Sequence, residues 1–144
     1  MDAFGDELAT MDPTGRVLHR DGFGTFFVGQ MLHERDHREG AVLVAEVGGR
    51  IVGFAAGGVR LPDEGDVLSV VPFRNGRVTE LYVAPDARRA GIGRALVEAM
   101  ERHFVTVGCT AMRIEVWAPN EVARAFYATI GYEAADIDLR KELR

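Results

Sequence analysis

The chain has 144 residues, 17 Lys+Arg against 22 Asp+Glu for a formal net charge of -5, and a hydrophobic share of 47%. It therefore reads as one globular domain over 1–144 that needs neither disulfide nor structural metal to close a core. The single cysteine, Cys109, excludes a disulfide framework and fits a reducing, cytoplasmic setting, while the acidic balance argues against a nucleic-acid partner and suits a cationic one. No run approaches the roughly 20 apolar residues of a membrane span, and Asp2, Asp6 and Glu7 stand where a secretory signal would be positive.

Phe4, Leu8 and Met11 recur at helical spacing before Asp12-Pro13-Thr14-Gly15 breaks the pattern, which predicts a short first helix. A second helix is expected from Thr25, as N-cap, through Phe26, Phe27, Gln30 and Met31 to a stop at Gly40. Ala41 to Val47 and Ile51 to Val59 flank Gly48-Gly49, the signature of a β-hairpin with a two-residue turn. Leu61 to Gly76, with Pro62, Gly65, Pro72 and Asn75-Gly76 beside the acids Asp63, Glu64 and Asp66, predicts a long connection with a short strand at Val67 to Val71.

Arg77 to Val83 is strand-like and stops at Ala84-Pro85. Ile92, Leu96, Met100 and Phe104 then recur every four residues, so a third helix runs from Gly93 to about Val107, closed by Gly108. Met112 to Val116 alternates as a half-buried strand, Asn120 caps a fourth helix that ends at Gly131, and Tyr132 to Leu139 closes with a last strand. The expected order is α-α-β-β-β-α-β-α-β, with no repeat or linker marking a second domain.

The segment Val78 to Leu96 carries the most chemistry. A strand ends at Pro85, a turn supplies Arg88 and Arg89, and Gly91 and Gly93 let backbone approach a ligand where a helix begins. Consecutive N–H groups from about Arg89 to Arg94, with the positive end of the helix dipole, form a nest for a diphosphate. Leu96 stands where the dinucleotide fingerprint needs a third small residue, and the only lysine is Lys141, so neither a Rossmann fingerprint nor a P-loop fits.

Arg88-Arg89-Ala90-Gly91-Ile92-Gly93, following Leu81-Tyr82-Val83-Ala84-Pro85, resembles the coenzyme-A signature R/Q-x-x-G-x-G/A of the GNAT acetyltransferase superfamily. Asn120 to Tyr132 resembles its second motif, N-x-x-A-x-x-F-Y-x-x-x-G-F/Y. The resemblance covers about Ala41 to Leu139. It departs at the start, where the family opens with a strand and Met1 to Phe4 reads as helical. It implies an α/β fold of GNAT type: a mixed, largely antiparallel central sheet flanked by helices, with a V-shaped splay between two central strands, one of them bulged.

The resemblance further implies that acetyl-CoA is the co-substrate, held by Leu81, Tyr82, Val83, Arg88, Arg89, Ala90, Gly91, Ile92, Gly93, Arg94 and Asn120. The N–H of Val83 or its neighbour would polarise the thioester carbonyl. Asn120 reads equally as a helix cap. Tyr127 matches the family tyrosine that protonates the departing thiolate. A phenol of pKa about 10 is present as the acid at neutral pH and can donate to a thiolate of pKa about 8.5.

Glu80 is the candidate base, because an amine of pKa near 10 must lose a proton before it attacks. It reads equally as an ion-paired strand carboxylate, and Glu115 on the neighbouring strand competes for the role. The acids of Pro62 to Asp66 are alternative determinants of acceptor binding.

His33-Glu34-Arg35-Asp36-His37 matches H-E-x-x-H, but its charged surroundings read better as a solvated helix end than as zinc ligands, so no metal site is expected. The reading is an N-acetyltransferase that moves an acetyl group to a primary amine of a small molecule or peptide by direct attack in a ternary complex. A silent CoA-binding module and a zinc hydrolase on His33 and His37 are its alternatives. By resemblance alone, a homodimer through the C-terminal strands is also implied.

Overall fold

The computed structural model describes residues 2–12, 18 and 20–143. Four helices, α1 (Asp2–Met11), α2 (Phe23–His37), α3 (Ile92–Thr106) and α4 (Glu121–Thr129), accompany four strands, β1 (Ala41–Val47), β2 (Arg50–Arg60), β3 (Asn75–Val83) and β4 (Ala111–Ile114). The strands form one sheet in chain order. β1–β2 and β2–β3 pair antiparallel and β3–β4 parallel, which is the mixed, largely antiparallel sheet expected. The helix break expected at Pro13–Gly15 lies outside the described residues.

Both faces of the sheet are covered. Leu96, Met100 and Phe104 on α3 meet Ala55, Val59 and Val78 to make the main core, as their four-residue spacing requires. The opposite face holds buried Phe4 of α1, packed edge-on to Phe54 of β2 and Tyr82 of β3. β2 is therefore apolar on both sides, with Ala55 and Ala56 fully buried, and reads as a run rather than an alternation. Gly48 and Gly49 adopt φ 59° and 78° and close the β1–β2 hairpin as anticipated.

Several expectations are corrected. Helix α2 begins two residues before Thr25: Gly22 occupies the N-cap and its carbonyl takes the Phe26 N–H at 3.0 Å. Val67 to Val71 is not a strand. Asp66 N–H donates to Asp63 Oδ1 at 2.8 Å, and that local bond turns the chain into a short 3-10 helix at Asp66–Leu68, leaving Leu68 91% exposed. β4 stops at Ile114 rather than Val116, and α3 starts at Ile92.

The last strand expected over Tyr132 to Leu139 is absent, because residues 132–143 carry no helix or strand. Its apolar alternation has no layer to cover it, so Ile137 and Leu139 remain exposed, and Asp136 is held instead by an ion pair to Arg113 of β4.

Gly76, at the start of β3, lies against Phe104, and a Cβ there would overlap the phenyl ring. Phe104 is 1% exposed and has no room to retreat. Gly76→Ala is expected to destabilise the fold by about 1–3 kcal/mol, the usual cost of overpacking. Urea unfolding is the check: the midpoint falls and the slope stays the same.

Candidate active site

The β3–β4 ladder runs from Asn75 opposite Ala111 to Val78 opposite Ile114 and goes no further, although β3 continues to Val83. At the same place the register of β3 on β2 shifts. Val78 faces Gly57 and Glu80 faces Ala56, so Thr79 is the extra residue of a bulge.

Beyond the bulge the direction of the amides follows from one bond. Ala84 N–H donates to Val52 C=O at 2.7 Å, one step past the pair Gly53 and Val83. Antiparallel pairs alternate between bonded and unbonded, so Val83 and Leu81 turn their N–H and C=O groups away from β2, toward the side where β4 no longer pairs. Arg88 Nε–H reaches Val83 C=O there at 2.8 Å, in agreement.

A cleft of about 1280 Å³ opens along this edge. Its walls bring together Glu80, Leu81, Tyr82 and Val83 of β3; Arg88, Arg89, Gly91, Ile92, Gly93 and Arg94 around the start of α3; and Asn120 and Tyr127 of α4. Of the residues assigned from sequence to the coenzyme or to catalysis only Ala90 does not line it, and the loop acids Asp63, Glu64 and Asp66 lie outside its lining. Residues from distant stretches meet because β3 feeds directly into α3 through the 3-10 turn at Pro85–Ala87, while α4 returns beside the end of β4.

At the diphosphate end, Gly91 takes φ 80° as the N-cap of α3, a left-handed conformation costly for other residues. A Cβ placed there would meet nothing within 4 Å, so its role is conformational and the space beside it is open. The first helical bond of α3 is Ala95 N–H to Gly91 C=O at 3.0 Å, and no main-chain acceptor among the described residues takes the N–H groups of Arg89 through Arg94. These are the free amides that a helix start and a preceding left-handed turn leave open.

The arginines depart from expectation. Arg88 Nη2 binds both carboxylate oxygens of Glu7, at 2.7 and 2.6 Å, and its guanidinium lies 5.8 Å from the Tyr82 ring centre. Arg94 Nε pairs with Glu98 at 2.8 Å, one helical turn on. Arg89 alone of the three forms no ion pair among the described residues, and it too adopts a positive φ, 64°.

At the other end, the Glu80 carboxyl has no hydrogen bond or ion pair among the described residues, and burial pushes it up to about 7. Glu115, the competing base, is held by Arg77 and is 72% exposed. The Tyr127 hydroxyl likewise has no partner among the described residues. Burial raises it to about 12, so it stays protonated, and its ring is fixed between Phe126 and Tyr132. Tyr132 donates to Glu101 at 2.8 Å and is not free. Asn120 Oδ1 accepts the Ala123 N–H at 3.1 Å, so the helix-cap reading holds, while its Nδ2 rests on Met11 Sδ at 3.4 Å.

Sequence reasoning missed the α1 face. Phe4, Glu7, Leu8 and Met11 all line the cleft, and their i, i+3, i+4, i+7 spacing was visible, but nothing in it says what the face meets. Glu34 of H-E-x-x-H is taken up by Arg60, at 2.8 and 3.1 Å, and by Arg38, at 3.7 Å, which ties α2 to β2 and removes it as a hydrolytic base. Among the described residues no three His, Cys, Asp or Glu side chains gather in a metal-binding group, and no helix is long and apolar enough to cross a membrane.

The raised Glu80 carboxyl makes a prediction about stability. The folded state holds this proton up to about pH 7, whereas the unfolded chain releases it near 4.5, so wild-type stability falls as pH rises between those values. Glu80→Gln escapes that loss. Its Tm should match wild type near pH 4.5 and exceed it above pH 7, and melting curves across that range are the check.

Residues 10–132 match the family model described as Acetyltransferase (GNAT) family. An uncharacterised N-acetyltransferase of Methanocaldococcus jannaschii, MJ1530, is 32% identical over 90 residues, 62% of this chain and 50% of that protein. The chain thus spans about half the length of that curated relative. Among solved structures, a mutant BH1408 protein from Bacillus halodurans superposes with a TM-score of 0.76 at 17% identity, covering 99% of this chain and 85% of that one. AAC(6')-Iy in complex with the bisubstrate analogue CoA-S-monomethyl-acetylneamine superposes with a TM-score of 0.69 at 19% identity, covering 95% and 86%.

Proposed function

The chain belongs to the GNAT acetyltransferase family, and from that premise we propose that it transfers an acetyl group from acetyl-CoA to a primary amine of a small molecule or peptide. The observation that carries the reading is the row of N–H groups from Arg89 to Arg94, unpartnered among the described residues, at one end of a cleft whose other end holds a carboxyl and a phenol likewise without a partner among them. A diphosphate needs the first, and amine acyl transfer needs the second pair.

Acetyl-CoA supplies an activated thioester, and the chain's residues do the rest. The amides of Arg89 to Arg94, the α3 dipole and the Arg89 guanidinium hold the diphosphate. Leu81 and Val83, whose polar groups face away from β2, hydrogen-bond the pantetheine arm, and the Val83 N–H faces the carbonyl oxygen as negative charge develops on it. Glu80 takes a proton from the acceptor ammonium, so that the nitrogen lone pair is free to attack. Tyr127 gives its proton to the sulfur as the carbon–sulfur bond breaks. The attached nitrogen still carries one proton more than the amide product, and as the intermediate collapses that proton passes to the Tyr127 phenolate, directly or through water, so that only Glu80 is left protonated and solvent takes its proton.

Glu80 sits in a fitting range for this role: near neutral pH part of it is carboxylate, and as a weak acid it is a stronger base than an exposed glutamate. The acceptor is a cation, in keeping with the formal charge of -5 and with Glu80 and Glu121 on the cleft wall, which form no ion pair among the described residues. The single thiol suits a cytoplasmic setting. We extend the reading to a homodimer, supported by Ile137, Leu139 and Leu143, exposed apolar side chains on a segment tied to β4 that a second copy would cover.

Thiol release from acetyl-CoA across amines, amino acids, polyamines, aminoglycosides and peptides tests the reading. Saturable release with at least one primary amine is expected. CoA binding without release across the panel would leave a silent binder instead. Tyr127→Phe should keep CoA affinity within about twofold while kcat falls by roughly 10²-fold, the scale of one general acid. In wild type, kcat/KM should rise with pH through an inflection near 7, and in Glu80→Gln that inflection should vanish with a comparable loss of rate; an unchanged profile would remove Glu80 as the base.

A further inference from the structure

Helix α1 is fastened to the cleft at three points along one face. Phe4 is 5% exposed and sits amid Phe27, Phe54 and Tyr82, with ring centres 5.4–5.5 Å away. One turn on, Glu7 holds Arg88 Nη2 with both carboxylate oxygens. A further turn on, Met11 Sδ receives the Asn120 Nδ2–H. The three anchors differ in kind. The first is a buried aromatic cluster, the second a partly exposed ion pair, and the third a weak contact to sulfur. α1 is therefore firmly seated near Phe4 and lightly held over Glu7 to Met11.

The two light anchors grip residues on either side of the cleft, one at the diphosphate turn and one at the start of α4. We propose that α1 is a strap across the cofactor cleft, hinged at Phe4, and that an incoming CoA diphosphate takes Arg88 from Glu7 and lifts the Glu7 to Met11 half. This inference rests on the reading of the cleft as a CoA site.

Charge sets the direction. Arg88 immediately precedes the free amides of Arg89 to Arg94, so a dianion there lies close to the Glu7 carboxylate and repels it while competing for the same guanidinium. Arg88 already commits Nε to Val83 C=O and Nη2 to Glu7, leaving only Nη1 for a phosphate while the strap is closed. Release of Glu7 frees Nη2 as well. By linkage, a change that weakens the Glu7–Arg88 pair tightens cofactor binding by the same factor.

The test is calorimetric CoA affinity together with hydrogen exchange of the α1 amides, in wild type, Glu7→Gln and Asp86→Asn. Asp86 lies two residues before Arg88 but pairs with Arg50 at 2.7 Å, so Asp86→Asn removes a nearby negative charge without touching the strap. Glu7→Gln is expected to bind CoA roughly three- to tenfold tighter, the scale of a partly exposed ion pair, and Asp86→Asn to stay within about twofold of wild type. In wild type, saturating CoA should speed exchange at residues 8–12. In Glu7→Gln those amides should already exchange fast without CoA.

Slower exchange of α1 on CoA binding, weaker or unchanged affinity of Glu7→Gln, or an equal gain in Asp86→Asn overturns the strap while leaving the CoA site standing. No heat of CoA binding in any of the three proteins overturns the site reading and the strap together.

Discussion

A strand that keeps its length while its neighbour stops leaves amides that must find another partner. β3 does this beyond Val78: the ladder to β4 ends there, a bulge at Thr79 resets the phase on β2, and Leu81 and Val83 then turn their polar groups outward. Exposed ladder groups of this kind are normally blunted or covered. Here they border a cleft, and the same strand runs on through a 3-10 turn into the free N–H groups that open α3. One interrupted pairing therefore sets the position of both polar surfaces that a long anionic thioester would need.

The core is arranged so that this interruption is tolerated. β2 binds β3 along its whole length and is sealed on one face by α3 and on the other by Phe4, Met31 and their neighbours. β3 is thus held by β2 from Asn75 to Val83 and by β4 over four residues only. Small residues in β2 and Gly76 in β3 let α2 and α3 close on the sheet. The buried core of the molecule thus lies behind the cleft, and one face of α1 lines it.

The sequence was most informative where local geometry carries the signal. Gly48-Gly49 specified its turn, the four-residue period of α3 specified its buried face, and Asn120 its helix start, because turn conformations, helical periodicity and capping are short-range properties. The glycine and arginine turn was legible as an anion nest for the same reason. Long-range facts were not. The expected strand over Tyr132 to Leu139 had the right alternation, yet a strand needs a neighbour and a covering layer, and neither is encoded in its own pattern. Nor was there any sign in the sequence that Arg88 is held by Glu7, 81 residues away in the chain.

Charge on the cleft wall is segregated in a way that composition alone does not reveal. Arg77, Arg88 and Arg94 are each matched by a glutamate, and what remains unpaired among the described residues is Arg89 at the α3 turn, with Glu80 toward the strand gap and Glu121 at the start of α4. Pairing silences most of the surface field, so the residual field has one positive and one negative pole along a single groove. A donor with a phosphate tail and an acceptor with an ammonium head would be oriented by it in opposite senses, with their reacting ends meeting near Val83. The Glu7–Arg88 pair sits at the positive pole. While it is closed, Arg88 contributes little to that pole; if it opened, the pole would strengthen at the start of α3. In the proposed strap, the field of the cleft would therefore be set by where α1 rests as well as by the sheet.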